Sequence, residues 1–151
     1  MGTTAEVVLF SSGRAHLAHV GDGCIYRFHR GKLEPHTSAH SLVNEYRRAR
    51  PDASEAELAR VPKNVIVRAL GMREDIEIDR KDVDTLAGDV WLLCSDGLTA
   101  LLSDEAIESI LRRGGASSEI ATALLDAARA TRCAPGSHKD NITVVVHVVG
   151  A

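Results

Sequence analysis

The chain has 151 residues, 44% of them hydrophobic, and a formal net charge of -3, which suits one soluble domain with its own core. Aromatic residues make up only 3%, so that core has to be assembled from Ala, Val, Leu and Ile. The slight acidity gives no electrostatic case for nucleic acid or an anionic membrane as partner.

No apolar run approaches the roughly 20 residues of a bilayer span. The N-terminus lacks the basic and apolar regions of a signal peptide, so the cytoplasm is the expected location. Met1-Gly2 does not continue as a myristoylation motif, because Glu6 holds the position that requires Ser or Thr. Cys24, Cys94 and Cys133 lie far apart with no CxxC spacing, which indicates neither a disulfide framework nor a zinc site.

The chain opens as an antiparallel meander. Glu6 to Phe10 and Ala15 to Val20 read as strands joined by a Ser11-Ser12-Gly13-Arg14 hairpin turn. Gly21-Asp22-Gly23 is a tight turn into a third strand, Cys24 to His29, and Arg30-Gly31 turns again into Lys32 to Glu34. From His40 the period becomes helical, with Leu42, Val43, Tyr46 and Ala49 on one face and Pro51 ending the segment. Ser54 and Glu57 form a capping box for a second short helix. This Arg-rich stretch carries few large apolar residues and reads as a flap. Strands are expected again at Asn64 to Ala69 and Ile76 to Asp79.

After the Gly88-Asp89 turn, Val90 to Ser95 is a short apolar run with the only Trp, the length of a strand buried on both faces. Asp96 stands where it ends, and Gly97 allows a sharp turn. Ser103, followed by Asp104 and Glu105, caps a helix carrying Ile107, Ile110 and Leu111. A second helix starts near Ser117 or Ser118 and ends before Pro135-Gly136. The last strand, Ile142 to Val149, is a long β-branched run. The pattern gives a single α+β domain with mostly antiparallel strands.

The chemistry concentrates in aspartates at strand ends. Asp96 closes one buried strand and Asp140 opens another, so the two can converge at one rim. Mg²⁺ and Mn²⁺ take such oxygen ligands, usually one or two carboxylates plus water. Asp22 is a third candidate. For each, the competing reading is a turn aspartate that satisfies nearby amides, and for Asp22 a type I′ turn between strands. Cys24 and Arg30 have the C-x5-R spacing of cysteine-dependent phosphatases. The residues between them alternate like a strand, however, which holds the two roughly 20 Å apart. The 7 histidines show no ligand spacing and read as surface or flap residues. Arg47, Arg48, Arg50 and Arg60 read as a solvated helix face rather than a phosphate site.

In order, the chain carries Met1-Gly2-Thr3-Thr4, Ala18-His19-Val20-Gly21-Asp22-Gly23, Arg68-Ala69-Leu70-Gly71, Leu93-Cys94-Ser95-Asp96-Gly97-Leu98 and Asp140-Asn141-Ile142-Thr143. This succession resembles the metal-dependent serine/threonine protein phosphatases of type 2C, the PPM family, in their bacterial form. The resemblance implies a two-sheet antiparallel β-sandwich flanked by helices in α-β-β-α layers, with a binuclear Mn²⁺ or Mg²⁺ centre. By motif match it implies that Asp96 and Asp140 are metal ligands and that Asp22 helps to hold a third, weaker ion. It implies a phosphorylated protein as substrate, the product of a Ser/Thr kinase, with no nucleic acid or membrane partner.

Gly-Asp-Gly stands where the family has Gly-Asp-Ser, and Ala39 stands where an Asp usually precedes the flap His-Ser pair. The family's Asp-Gly-x-Gly-Gly, which supplies a bridging carboxylate, has no counterpart here, nor does its phosphate-binding Arg. Residues 1–151 therefore correspond to the C-terminal part of one phosphatase domain, incomplete at the N-terminus. Two consequences are expected: weak or absent activity of these residues alone, and a sheet edge open to self-association. The alternative function is a non-catalytic pseudophosphatase module.

Overall fold

The computed structural model describes residues 1–62, 65–132 and 140–150. In chain order the strands and helices are β1 (Ala5–Ser11), β2 (Arg14–Val20), β3 (Cys24–His29), β4 (Lys32–Pro35), α1 (Leu42–Ala49) and α2 (Glu55–Leu58). They continue with β5 (Asp79–Asp84), β6 (Val90–Cys94), α3 (Asp96–Thr99), α4 (Asp104–Arg112), α5 (Ser117–Ala130) and β7 (Val144–Val148). These elements fall into two compact units, Met1–Gly23 with Ser38–Val83 and Cys24–Thr37 with Asp84–Ala151. Each unit holds one antiparallel sheet, so the two sheets and flanking helices expected from the sequence are both found.

The first unit is built on the sheet β1-β2-β5. Ser12 and Gly13 both take positive φ in the hairpin turn, which matches the twist of the flanking strands and sets the register from Ala5↔Val20 to Ser11↔Arg14. On one face Glu6, Val8 and Phe10 stand opposite the buried His19, Leu17 and Ala15. The other face leaves Val7 and Leu9 exposed. Helix α2 starts as expected: the Ser54 hydroxyl accepts the Glu57 N–H, and the Glu57 carboxylate accepts the Ser54 N–H at 2.8 Å.

The second unit is built on the sheet β4-β3-β6-β7. Strand β6 is its spine: Cys94 pairs with Cys24 on one side and with Val144 on the other. Tyr26, Val90, Leu92 and Cys94 pack with Leu98, Leu102, Ile107, Ile110, Leu111, Ile120, Leu124 and Ala128, so α3, α4 and α5 close one apolar core over this sheet. Burying each large side chain of that kind is worth about 1.5–3 kcal/mol. The Ser103 hydroxyl caps α4 by accepting the Ala106 N–H.

Asp89 organises the polar side of this unit. Its carboxylate lies 2.6 Å from His29 Nδ1, accepts the Leu86 N–H at 2.9 Å and accepts the Thr85 hydroxyl at 3.2 Å. The Thr85 oxygen in turn accepts the Trp91 indole N–H at 3.0 Å. Arg27 Nε stands 3.0 Å from Asp89, an ion-pair distance, with its N–H off the line of a hydrogen bond.

Three expectations change. Among the described residues, 65 to 70 form no strand, only isolated bridges Ser41↔Ile66 and Thr3↔Leu70; the expected start at Asn64 lies outside the described residues, as does the helix stop at Pro135-Gly136. The strand placed at Ile76 to Asp79 instead begins at Asp79 and runs through a polar, exposed edge sequence. Strand β7 is not buried on both faces: it is a sheet edge, and Val145 is exposed.

Candidate metal centre

Asp96 and Asp140 both belong to the second unit. Beyond the last β6–β7 pair, Cys94↔Val144, the two chains stay zipped. The Ser95 N–H donates to the Thr143 carbonyl at 3.1 Å, and the Ser95 hydroxyl accepts the Thr143 N–H at 3.0 Å. The same hydroxyl donates to the Asn141 carbonyl at 3.2 Å. On the other side of Asp96, a Cβ at Gly97 would overlap the Asn141 carbonyl oxygen. Residues 95 and 97 thus both touch Asn141, so Asp96 and Asp140 emerge at the same end of the β6–β7 pair.

The sequence assigned Gly97 to a sharp turn, and the structure gives it another role. Its φ is not positive, and it lies inside α3. What the position requires is the absence of a side chain, so that the helix start can sit against Asn141 in the segment that leads into β7. Asp96 and Asp140 are both exposed, and Asp140 Oδ1 accepts the Asn141 N–H at 2.7 Å. Exposed carboxylates on a fixed backbone are the hard oxygen donors that Mg²⁺ and Mn²⁺ take. The donor chemistry and the close approach at Gly97 therefore suit such ions.

Asp22 belongs to the first unit. Its turn is not the type I′ considered from the sequence, because Gly21 has φ +125° while Gly23 has no positive φ. Both neighbours are packed tightly: a Cβ on Gly21 would overlap Thr4, and one on Gly23 would overlap the Glu6 carboxylate. Burial, and then the charge of Asp22, hold the Glu6 carboxyl above its usual range.

Two of the histidines are not surface residues. His19 and His40 are buried, with ring centroids 4.6 Å apart. Together with Asp79 they bring potential ligand atoms within 4.8 Å of one another. Burial, then the neighbouring His40, pull the His19 imidazole below its ordinary value. Within this trio, His40 has no free lone pair to offer a metal. The Gly21 N–H donates to His40 Nδ1 at 3.0 Å, so the proton of the neutral ring sits on Nε2, which faces Asp79 Oδ2 at 3.3 Å. Arg68 Nη1 lies 2.8 Å from Asp79 Oδ1 and 3.2 Å from His40 Nε2, which places a cation where a metal would go. Burial pushes the Asp79 carboxyl up, but the hydrogen bonds and charges of His40 and Arg68 outweigh it and hold the group below its usual range. No local spacing could have shown this cluster, since its members come from β2, the segment before α1 and the start of β5.

Cys24 and Arg30 behave as the strand pattern required: residues 24 to 29 form β3, and Arg30 takes the positive-φ turn position after it.

The family described as Protein phosphatase 2C matches residues 1–133. The serine/threonine phosphatase stp of Listeria welshimeri is 33% identical over 146 residues, covering 97% of this chain and 56% of its own length. The solved serine/threonine phosphatase PstP/Ppp of Mycobacterium tuberculosis superposes with a TM-score of 0.83 at 32% identity, over 99% of this chain and 61% of that one. A PstP catalytic domain solved in complex with 2 manganese ions gives a TM-score of 0.77 at 32% identity, over 98% of this chain and 59% of that one. The chain spans a little over half the length of the curated relative.

Proposed function

From the premise that this chain belongs to the protein phosphatase 2C family, we propose that it is part of a metal-dependent protein phosphatase acting on phosphoserine and phosphothreonine. The observation that carries this reading is the convergence of Asp96 and Asp140 at one end of the β6–β7 pair, fixed by Ser95, Gly97 and Asn141. In it, Asp96 and Asp140 are ligands of a binuclear Mn²⁺ or Mg²⁺ centre, and Asp22 helps to hold a third, weaker ion. Two such ions, when bound, supply a hydroxide from water near neutral pH and neutralise charge on the phosphate. The chain's own part is to orient the carboxylates and to present them to solvent, where a phosphoprotein reaches them. A bridging carboxylate and a phosphate-binding Arg come, in this reading, from a segment outside residues 1–151. The substrate is a product of a Ser/Thr kinase, and the working compartment is the cytoplasm.

The test is Mn²⁺-dependent phosphate release from a phosphothreonine peptide, by this chain and by a version extended at its N-terminus with the corresponding segment of a relative. This chain is expected to release little or none and the extended chain to turn over. Asp96→Asn or Asp140→Asn in the extended chain should lower kcat by at least about 100-fold, since an amide cannot match a carboxylate's charge at a metal. Robust turnover by residues 1–151 alone would overturn the ligand assignment, and an inactive extended chain would favour the non-catalytic module.

A further inference from the structure

Asp22 sits between two glycines, and such a carboxylate is only as useful to an ion as its backbone is fixed. Three features of the first unit fix it. Gly21 adopts φ +125° against Thr4, and Gly23 lies against Glu6. The third is His40, which is fully buried and holds Gly21 from both sides. The His40 ring accepts the Gly21 N–H through Nδ1 at 3.0 Å, and the His40 N–H donates to the Gly21 carbonyl at 2.7 Å. The ring is tied at its far nitrogen to Asp79 at 3.3 Å, and Asp79 is held by Arg68 at 2.8 Å. The His40 carbonyl is tied down as well, accepting the Val67 N–H at 2.8 Å.

We infer that His40 is the positioning residue for Asp22, acting through Gly21, with Asp79 and Arg68 locking its ring. The arrangement has the form of a metal site's outer shell: a group that touches no ion but sets the backbone from which the ligand projects. It also gives the buried imidazole a role that metal binding does not, because its two nitrogens are committed to Gly21 and Asp79. The inference rests on the reading of Asp22 as a metal ligand.

The probe is Mn²⁺ itself, titrated into ¹⁵N-labelled chain, with paramagnetic broadening of the Gly21, Asp22 and Gly23 amides as readout and Mg²⁺ as the diamagnetic control. Two substitutions separate the nitrogens of His40. His40→Asn keeps an acceptor near the Nδ1 position, whereas His40→Gln keeps a polar group near Nε2 and loses the bond to Gly21. His40→Gln should raise the Mn²⁺ concentration for half-broadening by about 10-fold or more, the usual cost of removing an outer-shell partner. His40→Asn should stay much closer to the unsubstituted chain, an order that a purely structural role for a buried ring does not produce. Asp79→Asn, at an exposed residue, unties the ring without touching the core, and it should weaken Mn²⁺ binding in the same direction. Unchanged broadening in His40→Gln, or in Asp79→Asn where the Gln variant does not fold, would overturn the inference. Asp22→Asn distinguishes the premise: if it leaves the broadening intact, Asp22 is not a ligand and the inference falls with it. If it abolishes broadening while His40→Gln does not, the ligand reading stands and only the positioning role is lost.

Discussion

Two residues show how single atoms decide the second unit. Gly97 has no room for a methyl group, because the Asn141 carbonyl oxygen occupies that space. Overpacking of this kind usually costs about 1–3 kcal/mol, so Gly97→Ala should lower the midpoint of thermal unfolding by several degrees; an unchanged melt would show that the α3–Asn141 approach relaxes freely. Asp89 is the other. Removing its charge leaves the buried Arg27 with only the more distant, more exposed Glu34 carboxylate at 3.9 Å, and breaking a buried pair typically costs about 3 kcal/mol or more, which denaturant unfolding of Asp89→Asn would register. Burial alone would raise the Asp89 carboxyl, but the His29 hydrogen bond, the Leu86 N–H and the Arg27 charge hold it below the usual carboxylate range. The folded state therefore binds this proton less readily than the unfolded chain. The resulting stability is fully present above pH about 4 and is lost as pH falls through the depressed value. Asp89→Asn should flatten that acid limb of the stability profile; an equally steep limb in the variant would assign acid sensitivity to other carboxylates.

At the scale of elements, legibility followed burial. Strands β1 to β4 and the helix starts at Ser54 and Ser103 were readable because apolar alternation, positive-φ turns and capping hydroxyls are local signals. Strand β5 was not, since Asp79–Asp84 is an exposed edge with no apolar face to imprint a period. The His40 site was unreadable for a different reason: Gly21, Asp79 and Arg68 meet the ring only after the chain has folded. The position of Asp96 at the end of β6 was legible because the strand was, whereas the packing of Gly97 against Asn141 was not. Strand β7 read as buried because its Val run gave no hint that one face would stay in water. Its exposed Val145 and edge position make it the surface through which we propose self-association. Val145→Lys should shift the sedimentation profile toward monomer, since a charge on an edge strand blocks pairing; an identical profile would place any association elsewhere.

At the scale of the whole molecule, a chain spanning 56% of a curated relative still carries two sheets, each with its own hydrogen-bonded network. The sequence contains a single Trp, and the structure places it on β6 and buries it completely. Its indole N–H is committed to Thr85, and its ring lies 5.3 Å from that of His36. That makes the molecule an optical instrument with a single reporting point. Indole emission follows the surroundings of Trp91 on β6, while backbone circular dichroism sums over both sheets. Recorded on the same sample, the two signals give coincident midpoints if the units melt as one cooperative body. They separate if part of the chain melts apart from the surroundings of Trp91.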